Sequence, residues 1–340
     1  MYTISVIGAG SWGTALSILL AQKGYNVKLW TRNTLVYEQI KNERENIRYL
    51  PGVKLLDNIQ ITMDIDYAVH NAQVIIIGVP SQAVRENTRL LSNFIKKEQI
   101  IVSVAKGLEI GTMLRMSEVI EQELPGFEIA VLSGPSHAEE VSRNIPTACV
   151  VSSKKRKIAE FVQDIFMTPR FRIYTNPDII GVELGGALKN IIAIGCGISD
   201  GLGFGDNSRA ALMTRGITEI SRLGRTLGAQ ILTFAGLSGL GDMIVTCTSM
   251  YSRNRKAGIL IGQGMKVEDA VKSVGMVVEG FTTTKAAYEL AMIKNVSMPI
   301  TTEIYKVLYE RKSPEEGVGA LMMRGKTHEI EEVALEKGWI

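Results

Sequence analysis

Three glycines near the start of the chain have the spacing and setting of a phosphate-binding turn. Gly8, Gly10 and Gly13 form a G-x-G-x-x-G pattern between a β-branched segment, Thr3–Ile7, and a predicted helix over residues 14–23. At a strand–helix junction the first glycine permits a tight turn, the second lets backbone approach a pyrophosphate, and the third allows close helix packing. Free amide groups at the helix start favour an anion. The pattern predicts dinucleotide binding; the alternative is an ordinary glycine-rich turn.

The end of the second predicted strand, residues 26–30, indicates which dinucleotide is preferred. The residues that follow are Thr31, Arg32 and Asn33, so no acidic side chain is available to a ribose 2′-hydroxyl. Arg32 could instead bind a 2′-phosphate, which favours NADPH while leaving NADH open. The alternative interpretation of Arg32 is an exposed arginine at a strand end.

Polar residues follow three further predicted strands, where ligands of α/β sheets bind. Ser81 and Lys106 each come shortly after an apolar run, and a loop over residues 133–139 follows another. In this loop Ser136 and the glutamate three residues later match a capping box, so Ser136 is predicted to cap a helix whose amides can also face an anion. His137 is a lone histidine, which is more often structural than chemical.

The second half of the chain carries an ammonium and a carboxylate in settings that favour chemistry. Lys189 and Asn190 interrupt the apolar stretch 187–194, so they either form a solvated stripe or point into a cleft. The small residues 185–187 would let another backbone or a ligand come close. Asp242 lies beside glycine-rich backbone.

A second anion site is indicated farther along the chain. Ser252 and Arg253 precede a helix-like segment over residues 256–263. A cap hydroxyl, the amides of the first helical turn and a guanidinium would converge there, and this combination suits a phosphate group.

These residues need a scaffold that brings strand ends and helix starts together. Continuous apolar runs are typical of strands buried on both faces of a parallel sheet, and the intervening segments are long enough for crossover helices. The runs cover residues 74–79, 100–104, 129–132 and 147–152. After residue 177 helical spacing dominates. The predicted fold is an α/β Rossmann-type N-terminal domain (residues 1–180) followed by an all-α C-terminal domain (residues 181–340).

A long amphipathic helix is predicted over residues 208–228. Met213, Ile217 and Ile220 recur at helical spacing and define its apolar face. The charged residues are expected largely on the opposite, solvent-facing side; they are Arg215, Glu219, Arg222 and Arg225.

Composition narrows the class of protein. The chain has 340 residues, 46% hydrophobic and 21% charged, with a net charge of +3, which argues against a nucleic-acid binder driven by bulk electrostatics. The three cysteines are far apart, so they indicate neither a metal site nor a disulfide framework, and a reducing compartment fits best. No basic leader and no apolar run approaching about 18 residues is evident, which predicts a cytoplasmic protein without a membrane span.

Six motifs in order resemble the bacterial NAD(P)-dependent glycerol-3-phosphate dehydrogenase family. The resemblance covers essentially the whole chain, including the C-terminal segment 324–329. The motifs are Gly8-Ala9-Gly10-Ser11-Trp12-Gly13-Thr14-Ala15, Val104-Ala105-Lys106-Gly107, Ser133-Gly134-Pro135-Ser136, Gly186-Ala187-Leu188-Lys189-Asn190, Gly239-Leu240-Gly241-Asp242 and Ser252-Arg253-Asn254.

The resemblance implies specific roles for these positions. Lys189 would be the catalytic proton donor and acceptor. The substrate site would be lined by Lys106, Gly134, Ser136, Lys189, Asp242, Ser252, Arg253 and Asn254. The cofactor would contact the three glycines together with Ser11, Trp12, Arg32, Lys106, Ala138, Arg253, Val277 and Glu279. A second, often basic, phosphate position of the family is Asn33 here, which bears on the strength of the NADPH preference.

The implied reaction is the reversible reduction of dihydroxyacetone phosphate by NADPH or NADH to sn-glycerol 3-phosphate, an entry to glycerophospholipid synthesis. The expected partners are this small-molecule substrate and a second copy of the chain in a homodimer, with no nucleic acid and no metal. One rival is a dehydrogenase acting on a β-hydroxy acid or ketopantoate, since such enzymes also use a helix-borne Lys-Asn pair. Another is a non-catalytic dinucleotide sensor, which would not need Lys189 or Asp242.

Overall fold

The computed structural model describes residues 2–326, 328–329 and 337–339. Of the C-terminal segment 324–329 used above, Thr327 lies outside the described residues. Residues 330–336 and Ile340 of the predicted second domain also lie outside them.

The N-terminal half is built around one eight-stranded sheet with the strand order β10-β9-β8-β7-β6-β1-β2-β5, while β3 and β4 form a separate hairpin. The strands are β1 (Thr3–Ile7), β2 (Asn26–Trp30), β3 (Glu45–Asn46), β4 (Leu50–Lys54), β5 (Ile59–Thr62), β6 (Val74–Ile77), β7 (Ile100–Ser103), β8 (Glu128–Ser133), β9 (Thr147–Ser153) and β10 (Phe171–Asn176).

Helices cover the sheet and make up the C-terminal half. Those before residue 177 are α1 (Ser11–Gln22), α2 (Thr34–Glu43), α3 (Ile65–Val69), α4 (Val84–Leu91), α5 (Met116–Glu123), α6 (Ala138–Val141) and α7 (Arg156–Phe166). Those after it are α8 (Ile179–Gly201), α9 (Asp206–Thr226), α10 (Ile231–Phe234), α11 (Asp242–Thr248), α12 (Arg253–Gly262), α13 (Val267–Val274), α14 (Glu279–Ile293), α15 (Pro299–Tyr309) and α16 (Pro314–Met322).

The α/β fold class is confirmed, and the apolar runs are strands of the sheet. β6 is buried throughout and pairs in parallel with β1 and β7. Because these strands run the same way, their carboxyl ends share one edge of the sheet, the edge where a ligand is expected. One pair departs from the predicted parallel sheet: β8 and β9 are antiparallel. Their connection holds only the one-turn helix α6, and an antiparallel pair needs no crossover helix.

Two strands of the main sheet carry no clear signal in the sequence. β5 and β10 lie at the two edges of the sheet, and both are partly exposed. An edge strand buries one face or less, so it lacks the continuous apolar run that marks the central strands.

The C-terminal half packs around α8, which is buried from Gly181 to Ser199. Among the described residues no strand follows β10, as the helical spacing predicts. The predicted helix over residues 208–228 is α9, but its Glu219 is not on the solvent face. The Glu219 carboxylate is buried and accepts hydrogen bonds from the backbone amides of Ile300 and Thr301, at 2.7 Å and 3.2 Å. It caps the start of α15, a long-range role that sequence spacing does not reveal.

The prediction that no apolar segment is long enough to span a membrane is wrong in terms of length and composition. Two helical segments, Ile179–Gly201 and Ile231–Thr248, are long and apolar enough to cross a membrane. The first is α8, and 94% of its most apolar 18-residue stretch is buried inside the fold, as expected for the core helix of a globular protein.

A candidate active site between the sheet and the helical half

Lys189 lies in the buried middle of α8 and points into the fold. The residue is 5% exposed, which excludes the solvated stripe and leaves the cleft. The ammonium donates hydrogen bonds to Asp242 Oδ1 at 2.7 Å and to Thr246 Oγ1 at 2.6 Å. Asp242 and Thr246 lie one turn apart on α11, so one helix face receives the ammonium.

Asp242 joins the two halves of the chain. Its second oxygen, Oδ2, accepts a hydrogen bond at 2.6 Å from Lys106, which follows β7. Lys106 belongs to the N-terminal half, termed the nucleotide half because it carries the glycine turn predicted to bind a dinucleotide; the C-terminal half is termed the helical half. The Lys106 ammonium also donates to the carbonyl oxygen of Gly134, at 2.8 Å. One buried carboxylate therefore holds two ammonium groups, one from the sheet and one from α8.

This arrangement shifts the acidity of both partners. Burial lowers the pKa of Lys189 to about 8, with Asp242 opposing the shift and Lys106 adding to it. Burial raises the pKa of Asp242, but Lys106 and Lys189 outweigh it and hold that pKa below its usual range. A buried lysine whose pKa lies near neutrality can exchange a proton with a reacting group.

α8 can approach the sheet edge because small residues lie just before Lys189. A Cβ on Gly186 would lie 2.4 Å from Ser133 Oγ, and a Cβ on Gly185 would lie 2.8 Å from the backbone oxygen of Ser238. The predicted close approach is therefore made by backbone and side chains of the protein itself. Ser238 belongs to a π-helical turn, Leu237–Gly241, that leads directly into α11.

The loop after β8 is organised differently from the predicted capping box. α6 begins at Ala138 with His137 at its N-cap, so Ser136 is not the cap. The Ser136 hydroxyl instead donates to the carbonyl oxygen of Gly134 at 2.9 Å, within the same loop. Because α6 begins two residues after Ser136, this hydroxyl bonds within its own loop and not to the helix amides. Burial and the ammonium of Lys189 lower the pKa of His137, which keeps its ring neutral.

The start of α12 has the predicted cap and guanidinium. Ser252 Oγ accepts a hydrogen bond from the backbone amide of Arg255 at 3.2 Å, as an N-cap does. The partly buried Arg253 side chain donates to the carbonyl oxygen of Val277, at 3.1 Å. The first amide groups of α12 lack intrahelical partners and are available to an anion.

The Asn254 side chain is hydrogen-bonded to other parts of the protein. Its amide nitrogen donates to Asn190 Oδ1 at 2.9 Å, and its oxygen accepts from the amide of Gly280, also at 2.9 Å. Asn190 in turn lies 3.5 Å from the carbonyl oxygen of Lys106. This chain of amides connects α12 and the start of α14 to the lysine–aspartate cluster and fixes the orientation of the Asn254 side chain.

The glycine turn fits a dinucleotide. Gly8 has a φ of +112°, and a Cβ on Gly13 would lie 2.0 Å from the carbonyl oxygen of Gly8, so both positions require glycine. A Cβ on Gly10 would meet nothing within 4 Å, which leaves the backbone there open to a ligand. α1 begins at Ser11, three residues before the predicted start, so its first turn faces this opening. The buried Trp12 Nε1 has no hydrogen-bond partner in the protein.

Other predicted cofactor residues surround the same edge. Glu279, at the start of α14, accepts hydrogen bonds from the amide and the hydroxyl of Ser81, at 2.9 Å and 2.5 Å. Ser11 donates to the carbonyl oxygen of Tyr49 at 2.7 Å, and Ala138 opens α6. Arg32 lies apart from these residues and forms an exposed ion pair with Glu86 at 3.2 Å.

Sequence reasoning missed Thr246 and the partner of Ser81. Thr246 follows Asp242 by four residues, so helical spacing identifies it once α11 is known to begin at Asp242. No local signal connects Ser81 to Glu279, because they are 198 residues apart in the chain.

Two family models match the chain. A model described as the NAD-dependent glycerol-3-phosphate dehydrogenase N-terminus covers residues 3–159, and one described as the C-terminus of the same enzyme covers residues 178–319. A curated relative from Moorella thermoacetica, named glycerol-3-phosphate dehydrogenase [NAD(P)+], is 58% identical over 97% of this chain and 98% of its own length.

Solved structures give the same result. The crystal structure of glycerol-3-phosphate dehydrogenase from Coxiella burnetii has a TM-score of 0.92 at 39% identity, covering 95% of this chain and 99% of that one. A ketopantoate reductase from Ralstonia eutropha has a TM-score of 0.59 at 13% identity, covering 93% and 99%, which shows a shared fold alone. The chain belongs to the NAD-dependent glycerol-3-phosphate dehydrogenase family.

Proposed function

We propose that the chain catalyses the reversible reduction of dihydroxyacetone phosphate by NAD(P)H to sn-glycerol 3-phosphate, which supplies glycerophospholipid synthesis. The observation that carries this proposal is the buried Lys189 ammonium, held by Asp242 within reach of the nucleotide half. Reduction of a ketone needs a proton at the developing alkoxide, and an ammonium both stabilises that charge and donates the proton.

Lys189 is the proton donor in reduction and the acceptor in oxidation. Its pKa of about 8 lets both forms exist near neutral pH. Asp242 and Thr246 orient the ammonium, and Lys106 adds positive charge on the other side of the same carboxylate. The remaining substrate residues in this region are Gly134 and Ser136, whose loop is tied to Lys106 through the Gly134 carbonyl.

The substrate phosphate is held at the start of α12. Ser252, Arg253 and the backbone of Asn254 supply a capped first turn and a guanidinium that a dianion can engage. The phosphate is remote from the reacting carbon, so its binding energy serves to position the ketone.

A nicotinamide cofactor supplies the hydride when it is bound. The glycine turn (Gly8, Gly10, Gly13), with Ser11 and Trp12, would hold its pyrophosphate, since the opening at Gly10 leaves the α1 amides accessible. The other residues proposed to contact it are Lys106, Ala138, Arg253, Val277 and Glu279.

Arg32 is proposed to select NADPH by binding the 2′-phosphate. Arg32 forms an ion pair with Glu86, and both side chains are mostly exposed, so this pair is too weak to prevent phosphate binding. Arg32→Asp should raise the KM for NADPH at least about 10-fold and change the KM for NADH much less. Parallel steady-state assays with the two cofactors measure this, and equal changes in both KM values contradict the assignment.

Lys189→Ala tests the proposed reaction. Oxidation of NADPH by the wild-type protein should depend on dihydroxyacetone phosphate, and the variant should lose roughly three orders of magnitude in kcat. Cofactor affinity, measured by quenching of protein fluorescence, should stay unchanged because Lys189 is proposed to act on the substrate. Near-normal turnover in the variant rules out the proton-transfer role. A wild-type protein that reduces ketopantoate but not dihydroxyacetone phosphate contradicts the reaction itself.

We infer a two-domain division at residue 180, into a nucleotide domain (1–180) and a catalytic helical domain (181–340). The last strand ends at Asn176 and α8 begins at Ile179, which supports a division there. We also expect a cytoplasmic homodimer without nucleic-acid or membrane partners, and size-exclusion chromatography with light scattering tests the dimer.

A further inference from the structure

Among the described residues, three carboxylates of the helical half accept hydrogen bonds from the nucleotide half. Asp242 accepts a hydrogen bond from Lys106, and Glu279 accepts two from Ser81. Both of these carboxylates already belong to the candidate site. The third, Glu183, lies in the first half of α8 and is outside both the lysine–aspartate cluster and the proposed cofactor contacts.

Glu183 is buried and well supplied with donors. Its side chain is 5% exposed. Oε2 accepts hydrogen bonds from Arg115 Nη1 at 2.5 Å and from the Ser117 hydroxyl at 2.6 Å, while Oε1 accepts from the Ser117 amide at 2.8 Å. Ser117 is in the first turn of α5, whose amides lack intrahelical partners. The contact therefore ties the start of α5, in the nucleotide half, to α8.

The same helix carries Lys189 six residues later, about 9 Å along its axis. This part of α8 also packs against the sheet through apolar side chains, such as Val182 against Val131 and Val150. Apolar contacts are non-directional and permit small rotations of a helix. Three hydrogen bonds to one carboxylate are directional, so they fix the rotation of α8 and its position along the helix axis.

The energetics indicate that this contact serves geometry. Burial raises the pKa of Glu183, and the attraction of Arg115 recovers only part of that cost. Apolar residues of similar volume often stabilise a fold as well as a buried ion pair does, so a buried pair is weak evidence for stability. An apolar pair at this position would not provide directional hydrogen bonds between the two halves.

We propose that Glu183 is a positioning residue that fixes α8, and with it the Lys189 ammonium, against the nucleotide half. The proposal rests on the proposed reduction of dihydroxyacetone phosphate. A displacement of about 1 Å at the reacting groups can slow an enzyme by about 100-fold, so a loosened α8 acts on the chemical step.

The test is Glu183→Gln in the full-length protein. The variant keeps the size of the side chain but removes its charge and places an NH2 group against donors. We expect kcat for dihydroxyacetone phosphate reduction to fall about 10-fold or more, and the KM for NADPH to change less than about 3-fold. The deuterium isotope effect on kcat, measured with cofactor labelled at the transferred position, should rise because hydride transfer becomes rate-limiting.

The matched control is Glu219→Gln, another buried glutamate that accepts backbone amides at a helix start but only within the helical half. It should leave the isotope effect and kcat at wild-type values. If Glu183→Gln lowers only the thermal midpoint, with kcat and the isotope effect unchanged, Glu183 is structural and the proposal is overturned.

Ser117→Ala keeps the test available if Glu183→Gln does not fold. It removes one hydroxyl donor and leaves the carboxylate and Arg115 in place. The same rise in the isotope effect, with a smaller loss of kcat, supports the proposal, and no change in either overturns it. Failure of the proposed function is distinguishable, since a wild-type protein inactive on dihydroxyacetone phosphate contradicts the reaction before any variant is compared.

Discussion

At the scale of residues, the site depends on a charge balance that its members set for one another. Lys106 and Lys189 share one buried carboxylate, Asp242, so the cluster carries an excess positive charge where a phosphorylated substrate is proposed to bind. The near-neutral charge of the whole chain conceals this local excess. Because burial alone would discharge Lys189, the carboxylate is what keeps it protonated close to neutral pH.

The pKa of Lys189 predicts how the rate depends on pH. The lysine is protonated below its pKa of about 8, so kcat for reduction should be constant at lower pH and fall as the pH rises through about 8. Oxidation of sn-glycerol 3-phosphate needs the neutral amine and should show the opposite dependence. Measuring kcat in both directions across this range checks the sign. A reduction rate that increases above about pH 8 contradicts Lys189 as the donor.

Asp242→Asn tests the charge balance directly. Asp242 raises the pKa of Lys189, so its removal should move the midpoint of the pH profile to lower values and reduce kcat at neutral pH. Thr246→Val is the matched control, because it removes a neutral hydrogen-bond partner of the same ammonium and should shift the midpoint much less. A midpoint that rises in Asp242→Asn would show that the carboxylate does not sustain the charge of Lys189.

At the scale of elements, the sequence predicted what local patterns determine. β1 and β2 have the predicted bounds, since a β-branched segment and an alternating apolar pattern are local signals of a strand. Lys106, Lys189 and Asp242 were predicted as site residues, yet their shared geometry depends on contacts between residues at least 53 positions apart. The capping box at Ser136 was wrong because a competing local hydrogen bond satisfies its hydroxyl. Edge strands and long-range caps depend on tertiary contacts and carry little local signal.

The turn between β1 and α1 yields a paired prediction. Gly13→Ala should destabilise the protein, because its Cβ would overlap the carbonyl oxygen of Gly8. Gly10→Ala should leave the thermal midpoint unchanged, since the added methyl meets no protein atom within 4 Å. Its effect should be on binding, with the dissociation constant for NADPH raised about 10-fold or more as the methyl blocks the pyrophosphate. Calorimetry measures the thermal midpoints of both variants and the dissociation constant for NADPH. An unchanged dissociation constant in Gly10→Ala would place the cofactor elsewhere.

At the scale of the whole molecule, the two halves have separate main cores and meet at both apolar and polar contacts. One apolar core lies around the sheet and another around α8, while buried carboxylates of the helical half accept hydrogen bonds from the nucleotide half. The fold alone does not select the substrate, since a ketopantoate reductase shares it at 13% identity. The substrate depends on residues at the junction, and Ser252 and Arg253 favour a phosphate there.

The stability of the whole molecule should depend on pH through Glu219, which lies far from the reacting groups. Burial raises the pKa of this carboxyl from 4.5 to about 7, so the folded state binds its proton more tightly than the unfolded state. Below about pH 4.5 Glu219 is protonated in both the folded and the unfolded state, so its contribution to the free energy of unfolding is constant there. As the pH rises to about 7, the free energy of unfolding should fall by about 3 kcal/mol from this group and then stay level.

Glu219→Gln removes this titration, because the amide does not ionise. Urea unfolding of the wild type and the variant at about pH 5 and about pH 8 measures the difference in their free energies of unfolding. The wild type should lose about 3 kcal/mol relative to the variant between the two conditions. The backbone amides of Ile300 and Thr301 oppose the shift by favouring the carboxylate, which makes the direction of the change a test of burial against hydrogen bonding. A wild type that gains stability over the variant as the pH rises would show that the two amides outweigh burial.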